Sequence, residues 1–148
     1  MPIFWRDQMS IQNDLLDQDH RYLFCLVNSI ELSLKHADLA ATVLVFKQLM
    51  DYSVLHFTRE EKVQIKIKYP AKDLHRGRHE EIIKSLSRFH TELGFYERRR
   101  EEGLFFTEAE DAMGERLLKL LHDWIVEHVL TEDRKMEPLL KQFPKSFQ

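Results

Sequence analysis

Apolar residues recur along this chain at alternating intervals of three and four, the rhythm of helices that each bury one stripe. Leu16, His20, Leu23, Val27, Ile30 and Leu34 make the first stripe and predict a helix over about 19–36. After a break at His36-Ala37-Asp38, the positions Val45, Leu49, Tyr52, His56 and Val63 predict a second helix near 40–66, ended by the proline of Lys68-Tyr69-Pro70. A third stripe of His75, His79, Ile82, Leu86, Phe89 and Leu93 fades into the mixed-charge run 97–102, read as a solvated helix end before Gly103. Thr107-Glu108-Ala109-Glu110 has the form of a capping box and opens a fourth helix carrying Leu117, Leu121, Trp124 and His128. Residues 2–11 read as an N-terminal arm and 133–143 as a short closing helix.

Four amphipathic helices with short connections pack most simply as an all-α, up-down-up-down four-helix bundle. A length of 148 residues matches one hydrophobic core, so a single domain over 1–148 is expected. Four Gly and four Pro are too few for the many turns of a β-sandwich or barrel, which favours the helical reading.

Charge narrows the function classes. With 22 Lys+Arg against 25 Asp+Glu, the net charge of −3 removes the positive field that binding to a phosphate backbone requires, so nucleic acid is not an expected partner. The one cysteine, Cys25, cannot form an internal disulfide and is expected as small core filler. The opening MPIFWRDQMS lacks the basic and apolar regions of a secretory signal, and the longest mostly apolar run, 39–46, is far short of a membrane span. A cytoplasmic location without a membrane span is the expectation.

Eight histidines are the unusual feature. Five of them, His20, His56, His75, His79 and His128, fall on inward stripes. His20 and the His75/His79 pair sit at the starts of odd helices, and His56 and His128 sit late in even ones. Antiparallel packing brings those ends together. A single histidine on an apolar stripe is ordinarily a core residue with one hydrogen bond. Five at one depth would leave polar nitrogens orphaned in a dry interior, at roughly 1–3 kcal/mol each, unless a metal takes them.

Spacing adds detail. His75 and His79 are four apart and share a helix face, as do His56 and Glu60 within HFTREE. His128 and Asp133 are five apart, which in a straight α-helix turns them about 140° from one another. For both to face inward, the helix must end, unwind or bulge between them. Five imidazoles and two carboxylates exceed the needs of one ion and suit two metals bridged by both carboxylates. Such donors without a second cysteine fit iron. The ferritin-like di-iron alternative needs Glu-x-x-His motifs, and no Glu stands three residues before any His.

These marks resemble the hemerythrin family: Trp5, LDQDH ending at His20, HFTREE, Tyr69-Pro70, His75-x-x-x-His79, and Trp124-x-x-x-His128 with Asp133. They run in the family's order over nearly the whole chain. The resemblance implies one iron held by His75, His79 and His128, a second held by His20 and His56, and bridging by Glu60, Asp133 and an oxo or hydroxo group. It also implies an open position for O2 on the second iron, an apolar wall at Ile125, and reversible O2 carriage or storage rather than enzymatic turnover. The alternatives are an O2 or redox sensor acting with a partner protein, or an enzyme turning over peroxide or nitric oxide at the same site. One departure is Gln64, four positions after Glu60, where many relatives carry an apolar residue. Residue 63 lies closer to the seam, which leaves two positions open to Gln64: the flank, or the interior, where its amide would make the pocket wetter and work against long-lived oxygenation. His36, His90 and His122 are expected outside the site, and His122-Asp123 is too weak to suggest a phosphohydrolase because His122 is out of phase.

Overall fold

The computed structural model describes residues 1–148. Four long helices, α1 (Asp14–Lys35), α2 (Leu39–Lys66), α3 (Lys72–Glu101) and α4 (Thr107–Asp123), form an all-helical up-down-up-down bundle without strands. A π-helix at Trp124–Glu132 continues α4, followed by a 3-10 turn at Asp133–Met136 and the four-residue α5 (Glu137–Leu140). No helix is long and apolar enough to cross a membrane.

Local chemistry explains the boundaries. α1 begins five residues ahead of the sequence expectation because the Asn13 side chain accepts from Leu16 N–H at 3.1 Å, an N-cap that leaves Asp14 and Asp17 in the first turn. Its Nδ2 also donates to the Phe147 carbonyl at 2.7 Å, tying the C-terminal segment to the start of α1. α1, α2 and α3 share one kind of ending: Ala37, Lys68 and Gly103 adopt left-handed backbone at φ 51°, 54° and 77°. In each, the next residue's N–H reaches back to a carbonyl five positions earlier, as Tyr69 does to Gln64 at 2.9 Å. The left-handed turn at Lys68 therefore ends α2, and Pro70 lies beyond it. The capping box at Thr107 does not form. Phe106 occupies the cap position of α4 without a side-chain bond, and Glu110 instead accepts from Arg100 of α3. α3 stays helical through its charged run to Glu101.

The arm at residues 2–11 is pinned to α1. Ile3 and the Asn28 amide exchange two hydrogen bonds at 2.8 Å, and Trp5 packs against Phe24 with Arg21 over its ring. Cys25 is exposed, which corrects its expected role as core filler. Five residues after His20, it is rotated about 140° away from the buried stripe.

Apolar burial falls into two bodies. The larger runs through the bundle and includes Leu23, Phe46, Phe57, Leu86, Leu117, Trp124 and Ile125. The smaller, Ile11, Leu16, Val63, Ile67, Tyr69, Met136 and Leu140, seals one end. His20 and the two inward carboxylates mark the junction of the two bodies along the chain: His20 falls between Leu16 and Leu23, Glu60 between Phe57 and Val63, and Asp133 between Val129 and Met136.

Candidate metal centre

α1, α2, α3 and the irregular segment that continues α4 contribute side chains to this layer. His20 comes from α1, His56 and Glu60 from α2, His75 and His79 from α3, His128 from the π-helix, and Asp133 opens the 3-10 turn. None is more than 4% exposed. The spacing problem at Asp133 is solved by the π-helix. There the backbone bonds across five residues, and the N–H of Asp133 donates to the carbonyl of His128, so the two residues stack on one face.

The seven side chains form two overlapping groups, Glu60, His75, His79, His128, Asp133 and His20, His56, Glu60, Asp133. Within each group the donor atoms lie within 4.8 Å of one another. Both carboxylates belong to both groups. Glu60 Oε1 is 2.6 Å from His75 Nε2, and its Oε2 is 3.2 Å from His56 Nε2. Asp133 Oδ1 lies 3.0 Å from His75 Nε2 and 3.1 Å from His128 Nε2, with Oδ2 3.1 Å from His20 Nε2. Each carboxylate thus turns one oxygen to each group.

These close approaches largely fail as hydrogen bonds. The Nε2 atoms of His56, His75, His79 and His128, with Glu60 Oε2 and Asp133 Oδ1, are buried without a partner. So many convergent lone pairs would cost roughly 1–3 kcal/mol apiece if left unpaired, and cations are the chemistry they fit.

Neighbouring side chains orient the rings, and sequence reasoning missed them. His56 Nδ1 is 3.3 Å from Asp19 Oδ2, while Asp19 also accepts from Tyr52 at 2.6 Å and Arg59 at 2.8 Å. His79 Nδ1 sits 3.0 Å from Glu61, and its ring stacks on Phe57 at 3.9 Å. Asp19 and Glu61 stand next to His20 and Glu60 in the two quoted motifs, so adjacency was the available signal.

The charges are mutually supporting. Burial and the charge of Asp133 push Glu60 up, but His56 and His75 outweigh them and hold its carboxyl at about 2. Burial likewise opposes ionisation of Asp133, yet His128, His20 and His75 keep it well below the usual carboxylate range. Burial pushes His56 and His75 down, but their carboxylate partners raise both to about 9. His79 is lowered, chiefly by burial.

The profile of the hemerythrin HHE cation binding domain matches residues 12–140, which spans every one of these side chains. The chain belongs to the hemerythrin family. A bacteriohemerythrin from Stenotrophomonas maltophilia (strain R551-3) is 25% identical over 99% of this chain and 89% of its own length. Another from Clostridium acetobutylicum is 26% identical over 88% and 95%. A hemerythrin-like protein from Naegleria gruberi is 21% identical over 94% of both chains. A crystal structure of a hemerythrin point mutant superposes with a TM-score of 0.73 at 18% identity, covering 95% of this chain and 98% of that one, and so shares its fold.

On this hemerythrin scaffold the remaining sequence candidates separate. His36 and His90 are exposed, and half-buried His122 lies 3.6 Å from Glu31 on α1. None joins either group. Ile125 is fully buried in the larger apolar body, three residues before His128. Gln64 is not at the flank: it is fully buried, and its Nε2 donates to Glu60 Oε1 at 3.0 Å. Val63 and Gln64 both turn inward because α2 meets α1 on one side and the closing segment with Met136 on the other.

Proposed function

We propose that this chain binds O2 reversibly at a pair of iron ions held by His20, His56, Glu60, His75, His79, His128 and Asp133. One observation carries the reading: both carboxylates are shared, each with one oxygen toward each group, an arrangement that bridges two cations rather than enclosing one. Imidazole and carboxylate donors without thiolate suit iron, and kinship with hemerythrins supports the same metal. The group with His75, His79 and His128 offers five protein donors, while the group with His20 and His56 offers four. The poorer group has room for a small exogenous ligand.

A ferrous pair would supply the two electrons that O2 takes up and gives back. The chain's part is geometry and exclusion of water. Asp19 and Glu61 fix two imidazole rings through Nδ1, leaving Nε2 turned to the centre. Phe57, Trp124 and Ile125 close the interior side, with Ile125 proposed as the apolar wall of the O2 pocket, and the smaller apolar body closes the other. Every imidazole near the centre is committed as a donor, so none is left to act as an acid or base, and binding is favoured over turnover.

The test is iron analysis together with the optical spectrum of the anaerobically reduced protein before O2, after O2 and after degassing. Two irons per chain and a spectrum that appears with O2 and disappears on its removal are expected. One iron per chain, or steady consumption of O2 without recovery, overturns the reading.

A further inference from the structure

The buried amide of Gln64 does not serve packing well. Its Nε2 donates to Glu60 Oε1 at 3.0 Å and reaches Met136 Sδ at 3.4 Å, while its Oε1 is buried with no partner at all. The amide orientation is forced, because the reverse would set its oxygen against a carboxylate oxygen. A methionine or leucine would fill this space among Val63, Ile67 and Met136 without an orphaned acceptor. The amide therefore costs the fold something that an apolar residue would not.

What it provides is aimed at one atom. Glu60 Oε1 is the oxygen 2.6 Å from His75, on the three-histidine side of the shared carboxylate. A donor there fixes the carboxylate about its terminal torsion, which is broad and soft on its own. We infer that Gln64 is a positioning residue, holding Glu60 with one oxygen on each side of the centre so that the second metal ion meets a preset bridge. This rests on the two-ion reading above. Because the donor goes to Glu60, Gln64 acts on the bridge and leaves the apolar wall at Ile125 untouched.

The experiment uses the full chain, freed of metal and titrated anaerobically with Co2+, following heat and visible absorption, beside the thermal melting of the same metal-free samples. For Gln64→Met and Gln64→Leu the second ion should bind roughly 10–100-fold more weakly, as expected when a residue supporting a ligand is lost. The metal-free variants should melt at or above the parent temperature, since the orphaned acceptor is gone. A packing role alone would lower affinity and melting temperature together, and that result overturns the inference. Unchanged affinity for the second ion in both variants overturns it too. A parent chain that takes only one ion overturns the two-ion reading itself, an outcome visible before any variant is compared.

Discussion

Ile125 offers a sharp test of how dryness and chemistry are coupled in this bundle. It is 0% exposed, within the larger apolar body on the π-helix, so any polar replacement carries a calculable cost. Replacing it with Thr forfeits about half of the roughly 1.5–3 kcal/mol that burying an isoleucine side chain supplies. The new hydroxyl can bond back to its own helix, as Thr131 does to the Val126 carbonyl at 2.9 Å in the same segment. The expected loss is about 1–2 kcal/mol, a fall in Tm of about 2–8 °C at this chain length. Asn forfeits the whole apolar contribution and adds a buried amide at roughly 1–3 kcal/mol, so about 3–6 kcal/mol in all. Leu, near to volume-conserving, should cost less than about 1.5 kcal/mol. If Ile125 walls the O2 pocket, the Thr variant should still hold two irons while the O2-loaded protein oxidises several-fold faster, and the Leu variant should behave as the parent does. The assay is Tm, iron content and the decay of the O2-dependent spectrum on one preparation of each. A Thr variant with two irons, a lowered Tm and an unchanged decay would show Ile125 to be core filler remote from the pocket.

Two further outcomes are expected. Replacing His79 with Leu keeps an apolar contact for Phe57 and leaves Glu61 partly in water, so the fold should persist; iron content should fall from two toward one, with affinity reduced by at least the roughly 10–100-fold that a supporting residue costs. Parent-like O2 binding in His79→Leu would refute its assignment. Without metal, the stability contributed by His56 and His75, at about 9 against an ordinary 6.5, is complete below about pH 6.5 and lost as pH rises through about 9. That from Glu60, at about 2 against 4.5, is complete above about pH 4.5 and lost as pH falls toward about 2. The urea midpoint of the metal-free chain should therefore peak between about pH 4.5 and 6.5, and a midpoint that climbs from pH 7 to 9 would contradict this network.

Much of the centre was legible in one dimension because helical periodicity is a local property. Once His20, His56, His75, His79 and His128 fall on inward stripes, antiparallel packing brings them to one end whatever the detailed contacts. The five-residue step from His128 to Asp133 even required an irregular helix, and the π-helix at Trp124–Glu132 answers it. Cys25 was legible too, since its rotation from His20 already turned it outward, and the expectation of core filler overlooked that.

Other features depended on how helices rotate and approach one another, which no single helix encodes. Asp19 serves His56 on α2 although it adjoins His20 on α1, and Glu61 serves His79 on α3. Thr107 has the sequence of a cap, yet Phe106 takes that position and Glu110 is drawn to Arg100 on the neighbouring helix. Gln64 is the clearest case. Its stripe position beside Val63 allows either the flank or the interior, and only the closing segment, packing Met136 against the end of α2, buries the amide and turns it onto Glu60. The sequence determined that the five histidines, Glu60 and Asp133 face inward and how far apart they stand along each helix. The tertiary structure decided which hydrogen-bond partners they meet, because those contacts span helices and are set by packing rather than by local periodicity.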